Sequence, residues 1–97
     1  MHEVCADMSE LQGRRLPDAV WGEGGWTPTD MEVGDYRLID MRGRRELYFR
    51  DPVGNIGRCV THTITEEPDG TVTVEPSIAD EGVGSWHGWL RKGVWTW

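Results

Sequence analysis

A strictly alternating segment in the second half of the chain constrains the fold more than any other feature of the sequence. In residues 60–65 and again in residues 71–75, every second position is threonine or glutamate. This period of two is typical of a strand with one buried face. The intervening Pro68-Asp69-Gly70 supplies the residue types of a type I turn. The sequence therefore predicts a hairpin over residues 60–75, with four side chains on one face: His62, Ile64, Val72 and Val74.

A second hairpin is predicted over residues 86–97, which hold four of the six tryptophans. Arg91-Lys92-Gly93 reads as a three-residue turn, because glycine adopts positive φ without steric cost. This turn would set Leu90 opposite Val94. On that register, one face carries His87, Trp89, Trp95 and Trp97, whereas Trp86 lies on the other face. The pattern leaves open which of these faces is buried.

The remaining pattern completes the fold prediction. Alternation on both sides of a polar turn predicts a third hairpin over residues 36–50, and thirteen glycines with five prolines favour turns and strands over long helices. Ser9 is a candidate N-cap for one short helix. We therefore expect one domain over residues 1–97, with an all-β or β-rich α+β fold. A small antiparallel sheet built from hairpins at about 36–50, 60–75 and 86–97 would follow an irregular N-terminal arm over residues 1–35.

Charge and composition limit the classes of function. The chain carries 17 acidic and 10 basic residues, for a net charge of −7. Phosphate recognition needs a basic footprint, so nucleic acid is a disfavoured partner. No apolar run approaches the ~20 residues of a membrane span, and the N-terminus lacks a signal-peptide pattern. We therefore expect a cytoplasmic protein without a membrane partner, whose two cysteines stay reduced.

The strongest chemical candidate is the Cys-x-x-His step formed by Cys59 and His62. With His87 it would supply weak candidate ligands for zinc. Residues 59 and 62 of a strand point to opposite faces, however, so the two cannot bind one ion without a bulge. Cys59 paired with a histidine also lacks a visible third residue that would orient a nucleophile and base. We expect no metal, no cofactor and no enzymatic activity.

Contact with another protein is the function that the residue types favour, because Trp, Tyr and Arg dominate interface hot spots. Six tryptophans exceed what a core of this size needs, so we expect at least one to be exposed or packed into a second subunit. A homodimer through a strand edge or a tryptophan face is a further expectation. The alternative is a small-ligand site built from His62, His87 and nearby tryptophans. The candidate contact residues are Trp86, His87, Trp89, Trp95, Trp97, Arg42, Arg44 and Arg45.

Trp21 and Trp26 bracket a glycine-rich segment, Gly22-Glu23-Gly24-Gly25, that is predicted to be a loop. We expect both indoles to dock on the core and pin this segment. The alternative is a loop that presents an aromatic anchor to a partner.

Two motifs carry a family resemblance: the segment from Asp69 to Ile78, and Trp86-His87-Gly88-Trp89-Leu90 with Gly93-Val94-Trp95. Through them, residues 47–97 resemble a family of small uncharacterised proteins of tailed bacteriophages, notably those of actinobacteria. Some cellular relatives carry zinc-ribbon-like cysteines at positions that read 51–57 and 82–85 here, without cysteine. The resemblance implies a phage source and no activity. We expect a small non-catalytic accessory protein that binds a host or phage protein in the cytoplasm of the bacterial host; a virion component is the alternative.

Overall fold

The structure, a computed structural model, describes residues 9–25, 27–80 and 86–97. No helix in these ranges has the length and apolarity needed to cross a membrane. The described residues form strands and one 3₁₀ turn at Pro28–Asp30. In chain order the strands are β1 (Glu10–Gln12), β2 (Arg14–Arg15), β3 (Ala19–Val20), β4 (Asp35–Met41), β5 (Arg44–Arg50), β6 (Ile56–Cys59), β7 (Thr63–Glu66), β8 (Val72–Asp80), β9 (Trp86–Arg91) and β10 (Val94–Thr96).

These strands form two sheets, which confirms the predicted β fold built from hairpins. Sheet 1 has the order β1-β10-β9-β8-β7, and sheet 2 has the order β2-β4-β5-β6 with β3 also paired to β4. All described pairings are antiparallel except those of β2 and β3 with β4. The hairpins were expected to share one sheet, but β4-β5 lies in sheet 2 and the other two lie in sheet 1.

The terminal hairpin has a tighter turn than predicted, and its register differs accordingly. Lys92 and Gly93 both adopt positive φ, 48° and 75°, which makes a two-residue loop of the type I′ pattern. Arg91 therefore pairs with Val94, and Leu90 pairs with Trp95. The prediction that Leu90 faces Val94 was wrong, because Lys92 itself occupies the left-handed region. The shift of one residue moves Trp95 to the face that holds Leu90.

The central hairpin has the predicted turn but a shorter first strand. Gly70 N–H donates to the Glu67 carbonyl at 3.0 Å, and Gly70 has φ of 88°. Ile64 lies opposite Val74, so the two share one face, as predicted. Residues 60–62 form a bend instead of strand, because the chain leaves sheet 2 after β6 and enters sheet 1 at β7.

The N-terminal arm was predicted to be irregular, with a short helix near Ser9, but it supplies three strands. Ser9 exchanges two backbone hydrogen bonds with Trp97, at 2.9 and 3.1 Å, and β1 continues this pairing along β10. Beyond Gly13, the arm follows β4 in sheet 2. The edges of the two sheets offer these residues more backbone partners than a single helical turn would satisfy.

The main core lies between the sheets, with Trp95 at its centre. The Trp95 ring on sheet 1 lies 5.4 Å from Phe49 and 6.5 Å from Tyr36, both on sheet 2. Its Nε1–H donates to the Gly34 carbonyl at 2.9 Å. The other buried members are Leu38, Leu47, Cys59, Val72, Val74, Ile78, Trp86 and Leu90. A smaller cluster of Met31, Ile39 and Tyr48 covers the outer face of sheet 2.

Ion pairs tie chain segments together around this core. Glu66 of sheet 1 accepts hydrogen bonds from Arg15 at 2.9 Å and Arg45 at 2.6 Å, both of sheet 2. Buried Asp35 accepts two hydrogen bonds from Arg14, at 2.9 and 2.7 Å, and one from the Glu32 N–H at 2.9 Å. Burial by itself would raise the pKa of Asp35, but these hydrogen bonds outweigh it and lower the pKa.

We expect Trp95→Ala to destabilise the protein by about 4 kcal/mol, because it opens a cavity between the sheets. Trp95→Phe should cost about 2 kcal/mol, since it leaves the Gly34 carbonyl without its indole donor. Trp89→Ala is the matched control, because Trp89 lies on the opposite face of its hairpin. Urea unfolding would measure all three; equal losses for Trp89→Ala and Trp95→Ala would contradict the assignment.

Asp35→Asn should reduce stability by about 2 kcal/mol at pH 7 through loss of charged hydrogen bonds. Since the folded-state pKa of Asp35 is lowered, its stabilisation is present above the unfolded-state pKa and is lost as the pH falls below about 4. The difference between wild type and variant should therefore shrink in acid. Asp18→Asn removes an exposed ion pair and serves as the control, and a gap independent of pH would refute the expectation.

Candidate functional site

The structure divides the predicted tryptophan set between core and surface. Trp86 and Trp95 are 3% and 0% exposed, so neither is available as a contact residue on the folded surface. Trp97 is half-buried and packs against Trp86, with ring centroids 6.3 Å apart. Trp89 lies on the outer face of sheet 1, 5.5 Å from the His87 ring, with the Arg91 guanidinium over its own ring. Trp26 lies outside the described residues.

His62 and His87 meet at Ser77. His62 Nε2 lies 2.9 Å from the Ser77 carbonyl oxygen, and His87 Nε2 lies 2.8 Å from Ser77 Oγ. The irregular pairing of β8 and β9 between Val74 and Ile78 includes Ser77, and bulges of this kind re-aim side chains. The carbonyl requires the His62 Nε2 to donate. This polar cluster, beside Trp89, is the arrangement on which the small-ligand alternative rests.

Cys59 is a buried residue of the main core. It is 2% exposed and faces the main core from β6 in sheet 2. Burial raises the pKa of its thiol to about 12, so the thiolate that metal binding or nucleophilic attack requires is not formed near neutral pH. In the described part of the chain, no group of three or more His, Cys, Asp or Glu residues is arranged to hold a metal ion.

The three arginines of the predicted contact turn do not act together. Arg45 donates to Glu66, so it joins the two sheets. Arg44 projects from the outer face of sheet 2 and donates to Glu46 at 3.0 Å. Arg42 forms the β4–β5 turn with positive φ of 55°. Arg42 and Arg44 border one open groove of about 450 Å³, which Trp21 and Met41 complete.

Trp21 was expected to dock on the core, with an aromatic anchor for a partner as the alternative. Trp21 is 47% exposed, and its indole stacks on Tyr48 with centroids 6.0 Å apart and planes 29° apart. The backbone N–H of Trp21 donates to the Asp40 carbonyl at 3.0 Å, continuing the pairing of β3 with β4. The sequence signal for an exposed indole was the segment Gly22-Glu23-Gly24-Gly25, because it holds no apolar side chain that could cover Trp21. Trp21 thus docks on the protein and is still a partly open aromatic surface.

A buried carboxylate organises the arginines next to this aromatic pair. Glu46 is 0% exposed and lies opposite Ile39, on the outer face of sheet 2. Arg44 binds one of its oxygens, and Arg58 Nη1 lies 3.6 Å from the other. Arg58 Nη1 also donates to the Tyr48 hydroxyl at 3.4 Å. Two half-exposed guanidinium groups therefore share one carboxylate, which leaves a positive charge at this face.

In a Cys5→Ser background, we expect Cys59 to react with an aromatic disulfide reagent only as fast as the protein unfolds. Its burial and raised pKa both suppress the reactive thiolate. Absorbance of the released thiol would measure the rate, with and without urea. Labelling of the native protein at the rate of a free cysteine would return Cys59 to the list of candidate nucleophiles and ligands.

Three comparisons were made with known proteins, and no family model, no curated protein and no solved structure matches the chain.

Proposed function

We propose that this protein is non-catalytic and acts by contact with an acidic segment of another protein. The contact is made by Trp21, Arg42 and Arg44, hereafter the Trp21 surface. The observation that carries the proposal is the indole of Trp21, which is 47% exposed but held in place by Tyr48. An aromatic group fixed before binding loses little conformational entropy in the complex.

The composition of this surface matches that of an interface centre. Tryptophan and arginine are the residue types most enriched among hot spots. Trp21 and Met41 supply apolar area in the groove, and Arg42 and Arg44 supply charge at its border. An apolar side chain of the partner that packs on Trp21 would exclude water from these arginines. Their attraction to a carboxylate of the partner would then be stronger.

The distribution of charge supports an acidic partner, despite the net charge of −7. Arg14, Arg15 and Arg45 pair with carboxylates of the same chain that hold segments together. Arg44 shares the Glu46 carboxylate with Arg58 instead. The two guanidinium groups outnumber the carboxylate that they share, and such an excess of positive charge attracts an acidic segment and orients its approach.

The biological setting is part of the proposal. The resemblance of residues 47–97 to tailed-phage proteins supports an accessory role toward a host or phage protein in the host cytoplasm. Burial of the Cys59 thiol supports a non-catalytic role, since the single cysteine of the described residues has no access to a substrate. Association of two copies through a strand edge is compatible with the same role.

A photo-crosslinking experiment tests the Trp21 surface. Replacing Trp21 by the photoreactive residue benzoylphenylalanine keeps an aromatic group in place, and irradiation in the native host should link it to a partner protein. Benzoylphenylalanine at Trp89 is the matched position on sheet 1. We expect a product from position 21, reduced about tenfold when Arg42 and Arg44 are both changed to alanine, because two exposed charge pairs together contribute on the order of 1.4 kcal/mol.

Arg91→Ala is the charge-matched control, because Arg91 is an exposed arginine of sheet 1. Equal products from positions 21 and 89, or no product from position 21, would refute the Trp21 surface. Absence of a product, together with a rise in Tm on adding a nucleotide, sugar or metal ion, would favour the small-ligand alternative at His62, Ser77 and His87.

A further inference from the structure

β6 is an edge strand of sheet 2. It pairs with β5 on one side, from Ile56 opposite Arg50 to Cys59 opposite Leu47. In the part of the chain that the structure describes, no strand pairs with its other side. An edge strand presents backbone N–H and C=O groups that an added strand can pair with.

This edge also carries apolar side chains. Six large apolar residues are exposed in the described ranges, and three of them, Val53, Ile56 and Val60, lie in β6 or next to it. Their exposed fractions are 51%, 40% and 40%. By contrast, the end strands of sheet 1 are polar at their exposed positions, with Glu10 and Gln12 in β1 and threonines with Glu66 in β7. Charged and polar residues are a common protection of sheet edges, and Arg58 is the one charged residue within β6.

The face on which β6 projects its exposed side chains is the arginine-bearing outer face of sheet 2. Ile56 pairs with Arg50 and Arg58 pairs with Tyr48, whereas Cys59 faces the core. The side chain of Arg58 is 54% exposed. Since Arg58 and Arg44 share Glu46, a further carboxylate at the open side of Arg58 would neutralise the remaining positive charge.

We propose that β6 accepts an extended segment of a partner protein as an additional strand of sheet 2. The segment carries an acidic side chain opposite Arg58 and an apolar side chain opposite Ile56. Residues two apart on a strand share a face, so one residue separates the acidic and the apolar side chain in the sequence of the bound segment. Backbone hydrogen bonds supply affinity in this mode of binding, and alternate side chains supply specificity. This is a contact separate from the Trp21 surface and does not require it.

A second copy of the chain is a poorer occupant than an acidic strand. When two β6 strands pair antiparallel with Arg58 opposite Arg58, the two guanidinium groups lie close together on one face, and like charges across strands are destabilising. The strand is also only four residues long, whereas stable dimers bury about 800 Å² on each partner.

Selection from a library of random peptides displayed on yeast tests the proposal, with the full-length protein as bait. We expect selected peptides to carry an acidic and an apolar residue two positions apart. Each peptide would then be titrated into isotope-labelled protein, and amide hydrogen exchange followed by NMR. Binding should slow exchange of the β6 amides that point away from β5. This measurement uses the wild-type protein, so its result does not depend on whether a variant folds.

Arg58→Gln and Ile56→Lys should each weaken binding about tenfold, through loss of the charge pair and through protection of the edge. Arg91→Gln and Thr65→Lys are the matched controls, one on another arginine and one on edge strand β7, and both should bind as wild type. The proposal is overturned if no peptide is selected, if selected peptides lack acidic residues, or if Ile56→Lys leaves binding unchanged. Peptides that shift only Trp21 and Arg44 signals overturn it while supporting the Trp21 surface.

Discussion

The packing of Trp95 across the two sheets is the interaction on which the rest of the structure depends. The indole comes from the last strand of sheet 1, yet its ring contacts Tyr36 and Phe49, and its Nε1–H binds the Gly34 carbonyl, all in or next to sheet 2. A buried indole N–H needs such a partner. One side chain thus joins both sheets through apolar area and a directed hydrogen bond.

The position of Trp95 also decides which aromatic groups are left at the surface. Because Trp95 pairs with Leu90, Trp86 shares its inward face, while His87 and Trp89 face outward. Gly88 belongs to the same packing: a Cβ there would overlap the Trp86 ring and the Thr96 carbonyl. The cluster of tryptophans in the terminal hairpin is therefore mainly a core device. The exposed aromatic anchor that supports a binding role, Trp21, comes from the opposite end of the chain.

The carboxylates of this protein have two different roles, which the net charge of the chain does not reveal. Carboxylates at Asp35 and Glu66 hold segments together, and arginine hydrogen bonds lower the pKa of both. Glu46 instead orients Arg44 and Arg58 toward solvent. Two arginines therefore share one carboxylate on the face of sheet 2 that holds Trp21, and the two proposed contacts lie on that face. The phage setting stays a prediction from sequence resemblance.

The sequence by itself determined the features that depend on local chemistry. Alternation with threonine predicted the strands of the central hairpin. Pro68-Asp69-Gly70 determined the turn of that hairpin, because φ preferences and the Asp69 side chain act within a few residues. The β fold class and its three hairpins followed from the same signals. Only the tertiary structure decided the register of the terminal hairpin, the strands of the arm and the meeting of His62 with His87 at Ser77. Each of these depends on partners distant in sequence: the core that Trp95 fills, the open edges of β10 and β4, and the bulge in β8.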